Sequence, residues 1–231
     1  MAKKQELETT LYHLPRPNRK HVEALDNLLH RVVHDVGFHP DELRLRDNIT
    51  QKVDKLLRLS IPGSYVRSYG SSMTNIGLRL ASGLNLDLQI PPEVPPHEAL
   101  IKAYQSLCIH SADFTDIFPE FMAKIPFVSF NAGGIRCELS LNNNLAFQTS
   151  ALIRDYVGLD PRVKTLLVAL RFWAHICKLD RQAEGTLPPH AFALLMIHFL
   201  QRHRKPVLPC IHDYIKNDES DTYTSKYTFS Y

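Results

Sequence analysis

Strict alternation of apolar and polar residues marks two stretches in the first half of the chain. Every second residue is apolar over 84–90 and again over 135–141. A period of two predicts β-strands that bury one face and leave the other open. Each predicted open face carries one carboxylate, Asp87 on the first strand and Glu138 on the second. A shorter apolar run at 125–130 predicts a third strand.

Elsewhere, apolar residues recur every three or four positions, which is the period of an amphipathic helix. The predicted helices cover 21–36, 41–59, 98–108 and three further segments between 142 and 200. The last of these stripes but one begins at Val163 and includes Trp173, and we expect both in the core. Helices around a small mixed sheet predict the α+β class.

Proline, glycine and polar stretches divide the chain into five predicted segments. They are a flexible lead-in (1–20), N-terminal helices (21–60), an α/β lobe (61–141), a helical lobe (142–212) and a tail (213–231). The tail carries no apolar period, so we expect it to be disordered.

The composition excludes few classes of function. The chain has 231 residues, of which 44% are apolar, a net charge of +3 and an isoelectric point near 8.6. This content is enough to bury a core, and the mild positive charge permits contact with RNA without requiring it.

Cysteine and histidine spacing predicts neither disulfides nor a zinc site. The four cysteines are far apart, and three lie in apolar surroundings, so buried free thiols in a reducing compartment are expected. No apolar run reaches the roughly 18 residues that a membrane helix needs. The first ten residues also lack the apolar core of a signal peptide. We therefore expect a cytoplasmic protein without a membrane partner.

Six motifs in order give the chain a family resemblance. They are YGSS (69–72), SGLNLDL (82–88), ELSLNNNLA (138–146), LDPRVKTLL (159–167), LRFWAHICKLD (170–180) and GTLPPHAFALLMIHFLQ (185–201). Over about 41–212 the chain resembles the terminal uridylyltransferases and noncanonical poly(A) polymerases. The strings GTLPPHAFALL and VLPC look most like the N-terminal, degenerate nucleotidyltransferase-like module of the large zinc-knuckle terminal uridylyltransferases.

The resemblance implies a nucleotidyltransferase-like fold of the polymerase-β type. A small mixed-sheet lobe would be followed by a helical lobe like that of poly(A) polymerases. The helical lobe looks incomplete at the C-terminus, because the family continues well past the stretch that matches 209–212. A fragment or a short isoform is therefore expected.

The resemblance also bears on metal binding. In active members that this chain resembles, three carboxylates hold two Mg²⁺ ions, and the first strand reads S-D-x-D. Aligned on Ser82, those two positions are Gly83 and Asn85; shifted by two residues, they are Asn85 and Asp87. The third carboxylate falls on Glu138, where the family has aspartate. Alternation alone cannot choose the register, because residues two apart share a face.

Either register breaks the carboxylate pair, so the resemblance implies no functional catalytic residue and no metal cofactor. The alternative is an active enzyme that uses Asp87 and Glu138 with Mg²⁺ or Mn²⁺.

The nucleotide-binding positions implied by the resemblance differ from the family in the same way. Gly70 and Ser71 keep the phosphate-side turn. The family's ribose-binding Asn-Thr reads Thr149 and Ser150, its two lysines read Arg171 and His175, and its base-stacking tyrosine reads His190. These positions are interpreted as vestigial.

By the same resemblance, the expected partners are RNA of the microRNA-precursor type, a cold-shock/zinc-knuckle RNA-binding protein and the catalytic module of the parent protein. The candidate RNA contacts are Arg67, Arg79, Arg202, Arg204 and Lys205. A recruiting module is the first interpretation. The alternatives are an active UTP:RNA 3′-terminal uridylyltransferase and a structural element that binds neither RNA nor a partner.

Overall fold

The computed structural model describes residues 17–203 and 205–210. The predicted tail, most of the predicted lead-in and the RNA-contact candidate Arg204 lie outside these residues.

Within the described residues the chain forms helices and strands that alternate in the first two thirds and become all helical afterwards. In chain order they are α1 (Arg19–Val36), α2 (Pro40–Ser60), β1 (Tyr65–Tyr69), α3 (Ser71–Thr74), β2 (Leu84–Gln89), α4 (Pro96–Ile109), β3 (Thr115–Glu120), β4 (Phe127–Ala132), β5 (Ile135–Leu141), α5 (Asn144–Leu159), α6 (Pro161–Ile176), a 3₁₀ turn (Gln182–Glu184) and α7 (Pro189–Arg202).

Local sequence explains where several helices begin. The side chains of Asn18, Asn143 and Asp160 each accept a hydrogen bond from a backbone N–H in the first turn of α1, α5 and α6, respectively. Proline opens α2, α4, α6 and α7, where its missing N–H removes no helical bond.

The five strands form one mixed sheet in the order β1-β2-β5-β4-β3. β2 and β5 run parallel, and the other neighbouring pairs are antiparallel. The register sets Asn85 opposite Glu138 and Asp87 opposite Ser140. The predicted α+β class is confirmed, and the parallel pair brings the two alternating strands side by side.

Two strands were not predicted from the sequence. β1 and β3 are short, and their segments YVRSY and TDIFPE show no clean alternation. Both lie at the edges of the sheet, where one side of the backbone has no strand partner and fewer side chains need to be apolar.

Two apolar clusters form the core, and one of them joins the lobes. The first packs α2 and α4 against the sheet, with Val53, Leu57 and Leu86 among its fully buried members. The second lies among α5, α6 and α7, yet it includes Ile76 and Leu78 from the loop that precedes β2. That loop therefore ties the sheet lobe to the helical lobe by apolar burial.

Trp173 was expected in the core, and this prediction was wrong. It is 49% exposed, whereas Val163, Leu167 and Ala174 on the same helix are fully buried. A helix turns about 100° per residue, so Trp173 lies well to one side of the buried stripe. None of the described helices is long and apolar enough to cross a membrane.

The expectation of buried thiols holds for one cysteine only. Cys137 is buried on β5, whereas Cys108 and Cys177 are exposed at helix ends and Cys210 is partly exposed. Burial raises the pKa of the Cys137 thiol to about 12. This thiol therefore stays protonated and weakly nucleophilic at neutral pH.

Gly77 tests the packing between the loop before β2 and the preceding helices. A Cβ at this position would lie 2.0 Å from Cζ of the buried Phe38 ring, on which the Arg46 guanidinium stacks at 3.9 Å. We expect Gly77→Ala to lower the free energy of unfolding by about 1–3 kcal/mol through overpacking. Gly158 in α5 has open space around its Cβ position, so Gly158→Ala should raise that free energy by about 0.5 kcal/mol. Urea denaturation of both variants measures this, and equal effects would contradict the packing described.

Thiol titration tests the burial of Cys137. With an aromatic disulfide reagent at about pH 8, we expect Cys108 and Cys177 to react quickly and Cys137 to react only after unfolding. The Cys137→Ala variant should lose the slow thiol and keep the fast ones. Rapid labelling of Cys137 in the native protein would show that β5 is more accessible than described.

Candidate functional site

A cavity of about 530 Å³ lies between the sheet lobe and the helical lobe, and we call it the cleft. Its wall includes most of the positions that the sequence marked as vestigial. They are Gly70, Ser71, Gly83, Asn85, Thr149, Arg171, His175 and His190. Glu138 instead lines a second, adjacent cavity of about 420 Å³. Ala81, Ser82, Gly83 and Asn85 belong to both walls, so the two cavities share one partition.

The turn after β1 forms the phosphate-side edge of the cleft. Gly70 has φ of +69° and ψ of −138°, a conformation that favours glycine. Its N–H donates to Ser150 Oγ at 2.8 Å, and that hydroxyl donates to the Ala146 carbonyl at 2.7 Å. The turn is thus held against α5 by a buried serine. Ser150 does not line the cleft; it lies behind its wall.

Thr149 lines the cleft but is bound to its own helix. Its hydroxyl donates to the Leu145 carbonyl at 2.8 Å. The hydroxyls at both predicted ribose positions therefore donate to backbone carbonyls one turn earlier on α5.

Asp87 was predicted on the open face of its strand, and this prediction was wrong. The side chain is fully buried, and Arg67 on β1 lies directly opposite it and covers it. Asp87 Oδ2 accepts from Arg67 Nε at 2.9 Å and from Gln89 Nε2 at 2.8 Å. Asp87 Oδ1 accepts from the Asn143 backbone N–H at 2.7 Å. Both oxygens are satisfied, and Asp87 lines neither cavity.

Arg67 was predicted to contact RNA, but the structure gives it an internal role. Its guanidinium stacks on the Phe147 ring at 3.7 Å, and Nη2 donates to Asn144 Oδ1 at 2.6 Å. Together with the pairing to Asp87, these contacts join β1 and β2 to the start of α5. A cation engaged in this way is not free to bind a phosphate.

The residues at the partition do not fit a two-metal centre. Of the positions aligned with the family's carboxylates, Gly83 has no side chain and Asn85 offers an amide. Glu138 is the one carboxylate, and Arg136 Nε lies 3.7 Å from its Oε1. Across the described part of the chain, no cluster of three His, Cys, Asp or Glu side chains could hold a metal ion. Mg²⁺ requires near-octahedral oxygen ligands, which this donor set does not supply.

The backbone around Gly83 also leaves little room for a ligand. A Cβ at this position would lie 2.8 Å from the Arg136 carbonyl oxygen, which is closer than real Cβ atoms approach. An aspartate here would require β2 and β5 to move apart.

Arg171 lies in the wall of the cleft as a largely buried cation. Its Nη1 donates to the Ile76 carbonyl at 2.6 Å, and burial lowers its pKa to about 10, although Asp180 acts in the opposite direction. The guanidinium is therefore still charged at pH 7. Asp180 Oδ2 lies 3.2 Å from His175 Nδ1, so the histidine is positioned by this carboxylate.

The other predicted residues are spread over the surface. His190 lines the cleft, and desolvation lowers its pKa, so the ring is neutral at pH 7 and can stack on a base. Arg79 lines the second cavity and pairs with Glu42 at 3.5 Å. Arg202 and Lys205 are exposed near the end of α7 and line neither cavity.

Several residues at the site were missed in the sequence. Asn143 supplies the N–H that holds Asp87, and Phe147 supplies the ring under Arg67. The run of three asparagines at 142–144 before an apolar period was a usable helix-start signal. Arg46 and Arg136 come from distant segments and carry no local signal.

Comparison with solved structures places this fold among the nucleotidyltransferases. A Cid1 poly(U) polymerase structure described as MgGTP bound aligns with a TM-score of 0.74 and 19% identity over 80% of this chain and 59% of that chain. A structure of mtPAP in complex with ATPγS aligns with a TM-score of 0.71 and 23% identity over 83% and 45%. At these identities the likeness concerns the fold.

The sequence comparisons identify the family. Residues 3–140 match the TUTase nucleotidyltransferase domain. Mouse terminal uridylyltransferase 4 is 32% identical over 91% of this chain and 13% of its own length. Human terminal uridylyltransferase 7 is 31% identical over 90% and 14%. The chain belongs to the terminal uridylyltransferase family, and it spans about one eighth of the length of these relatives. The predicted family resemblance is confirmed.

The buried pair predicts a large effect of neutralising Asp87. We expect Asp87→Asn to lower the free energy of unfolding by about 3 kcal/mol or more, because it leaves the Arg67 cation without its partner. The matched control is Glu23→Gln at the exposed Arg19–Glu23 pair, which should leave stability unchanged within error. Guanidinium denaturation compares the two, and a neutral Asp87→Asn would mean that the pair does not support the fold.

Proposed function

We propose that this chain is a catalytically inactive nucleotidyltransferase-like module of an RNA 3′-terminal uridylyltransferase and that it recruits RNA. The observation that carries the proposal is the donor set at the partition. Where active members that the chain resembles hold three carboxylates, this chain has Gly83, Asn85 and Glu138. Two-metal catalysis activates the attacking oxygen and stabilises the leaving one, and it needs both ions held in fixed positions.

The surrounding geometry supports the loss of catalysis independently of residue identity. The close approach of the Arg136 carbonyl to Gly83 shows that the backbone no longer has space for a ligand there. The Arg136 guanidinium near Glu138 places a positive charge where a metal ion would have to approach. Each of these features alone would weaken metal binding.

The nearest alternative is an active enzyme that uses Asp87 and Glu138 with Mg²⁺ or Mn²⁺. The position of Asp87 argues against it, because both carboxylate oxygens are engaged and no part of the side chain reaches either cavity. To serve as a ligand, Asp87 would have to break the buried pair with Arg67.

The recruiting role rests on the family and on the surfaces that remain. The relatives are named for adding uridine to RNA ends, and the chain keeps a nucleotide-sized cleft with a neutral histidine in its wall. We propose RNA of the microRNA-precursor type as the cargo and a cold-shock/zinc-knuckle RNA-binding protein as the partner. The catalytic module would be elsewhere in a cytoplasmic parent protein. A purely structural element would bind no RNA.

RNA extension by the isolated chain tests the proposal. With labelled UTP or ATP and either Mg²⁺ or Mn²⁺, we expect no added nucleotide, because no pair of metal ions can be held at Asn85 and Glu138. The Glu138→Ala variant should behave identically. An active poly(U) polymerase in parallel reactions shows that the RNA and nucleotides are competent. Extension by the natural chain that disappears in Glu138→Ala would establish an enzyme and overturn the proposal.

A further inference from the structure

The second cavity is lined by three arginines that come from three separate elements. Arg46 lies on α2, Arg79 on the loop before β2 and Arg136 on β5. Glu138 is the single carboxylate in the same wall. A concave surface of about 420 Å³ with this lining concentrates positive potential beside the cleft.

Arg46 is a fixed cation at the base of this group. The residue is only 3% exposed, and its Nη2 donates to the Ser82 carbonyl at 3.0 Å. Its guanidinium also stacks on the Phe38 ring at 3.9 Å. These contacts hold the charge in place without a carboxylate at salt-bridge distance in the described residues, so its field is not cancelled locally.

Arg79 and Arg136 are the mobile cations at the rim. Their side chains are 39% and 67% exposed, and each pairs loosely with a glutamate, Arg79 with Glu42 at 3.5 Å and Arg136 with Glu138 at 3.7 Å. Exposed pairs at such distances contribute little and exchange readily. Both guanidinium groups can therefore turn to an incoming anion, and their planar forks match the oxygens of a phosphate.

We propose that the second cavity binds a phosphate of an RNA strand directly, without a divalent ion. In the resembled active members, metal ions counter the charge of phosphates at this partition. Here the carboxylates that would hold them are absent, Asp87 is neutralised by Arg67, and arginines supply the positive charge. The inference deepens the proposed function and rests on it.

RNA is favoured over an acidic protein segment because of the shared partition. A strand whose phosphate lies against Arg79 and Arg136 can place its neighbouring nucleotide across Asn85 into the cleft. There His190 offers a face for stacking. An acidic peptide would gain nothing from that second cavity.

Equilibrium binding of a fluorescent single-stranded RNA by anisotropy, with EDTA or with Mg²⁺, tests this site. Each lost phosphate contact on a single strand lowers the salt exponent by about 0.7, so Arg79→Ala with Arg136→Ala should weaken binding about 25-fold near 0.1 M salt. The slope of log affinity against log salt should fall by about 1.4. EDTA should leave the natural chain's affinity unchanged.

The matched control is Arg44→Ala with Arg58→Ala, which removes the same charge from α2 outside both cavities. Screening should keep its loss within about threefold. An equal loss in the control, or binding that requires Mg²⁺, would overturn the phosphate site. Displacement of RNA by polyglutamate as efficient as that by unlabelled RNA would point to a protein partner instead, and displacement by free UTP alone would assign the cavity to a nucleotide.

The outcomes also separate this inference from the proposed function. Extension of RNA by the chain would refute catalytic inactivity and leave the phosphate site to be judged by the anisotropy result. A chain that binds no RNA at all would refute both recruitment and the phosphate site. RNA binding that ignores Arg79 and Arg136 would refute the phosphate site alone.

Discussion

A carboxylate removed completely from water must be matched by a cation and by hydrogen bonds, and Asp87 obtains both from segments far apart in the chain. Arg67 supplies the charge from the neighbouring strand, and the Asn143 N–H supplies a bond from the start of α5. Because desolvating an unpaired charge is so unfavourable, these segments can separate only together. The floor of the cleft, including Asn85 two residues earlier, takes its position from this arrangement.

The elements that could be predicted are those in which one local period decides the structure. Leu84, Leu86 and Leu88 are buried as their alternation indicated, and the long amphipathic helices lie close to their predicted bounds. Edge strands lack that period and were missed. The interpretation failed at Asp87 because burial of a polar side chain depends on a partner, Arg67, that lies 20 residues away and is identified only by strand pairing.

At the site, residue identities could be predicted but their neighbours could not. The sequence indicated that Gly83, Asn85 and Glu138 depart from an active set. It contained no sign that Arg46 and Arg136 meet beside them, since a cluster assembled from a helix and a strand has no spacing in the chain. The structure changes the interpretation of the site from a place that lost ligands to one in which the sign of the electrostatic potential is reversed.

The contact between Gly83 and the Arg136 carbonyl has a consequence for the history open to this chain. A single codon change at Gly83 would meet the backbone of β5 before it could contribute a ligand. A return to metal binding would therefore require the strands to separate first, with no benefit until Asn85 also changed. Such a path crosses less stable intermediates, so selection would act against its first step and reversion would be blocked.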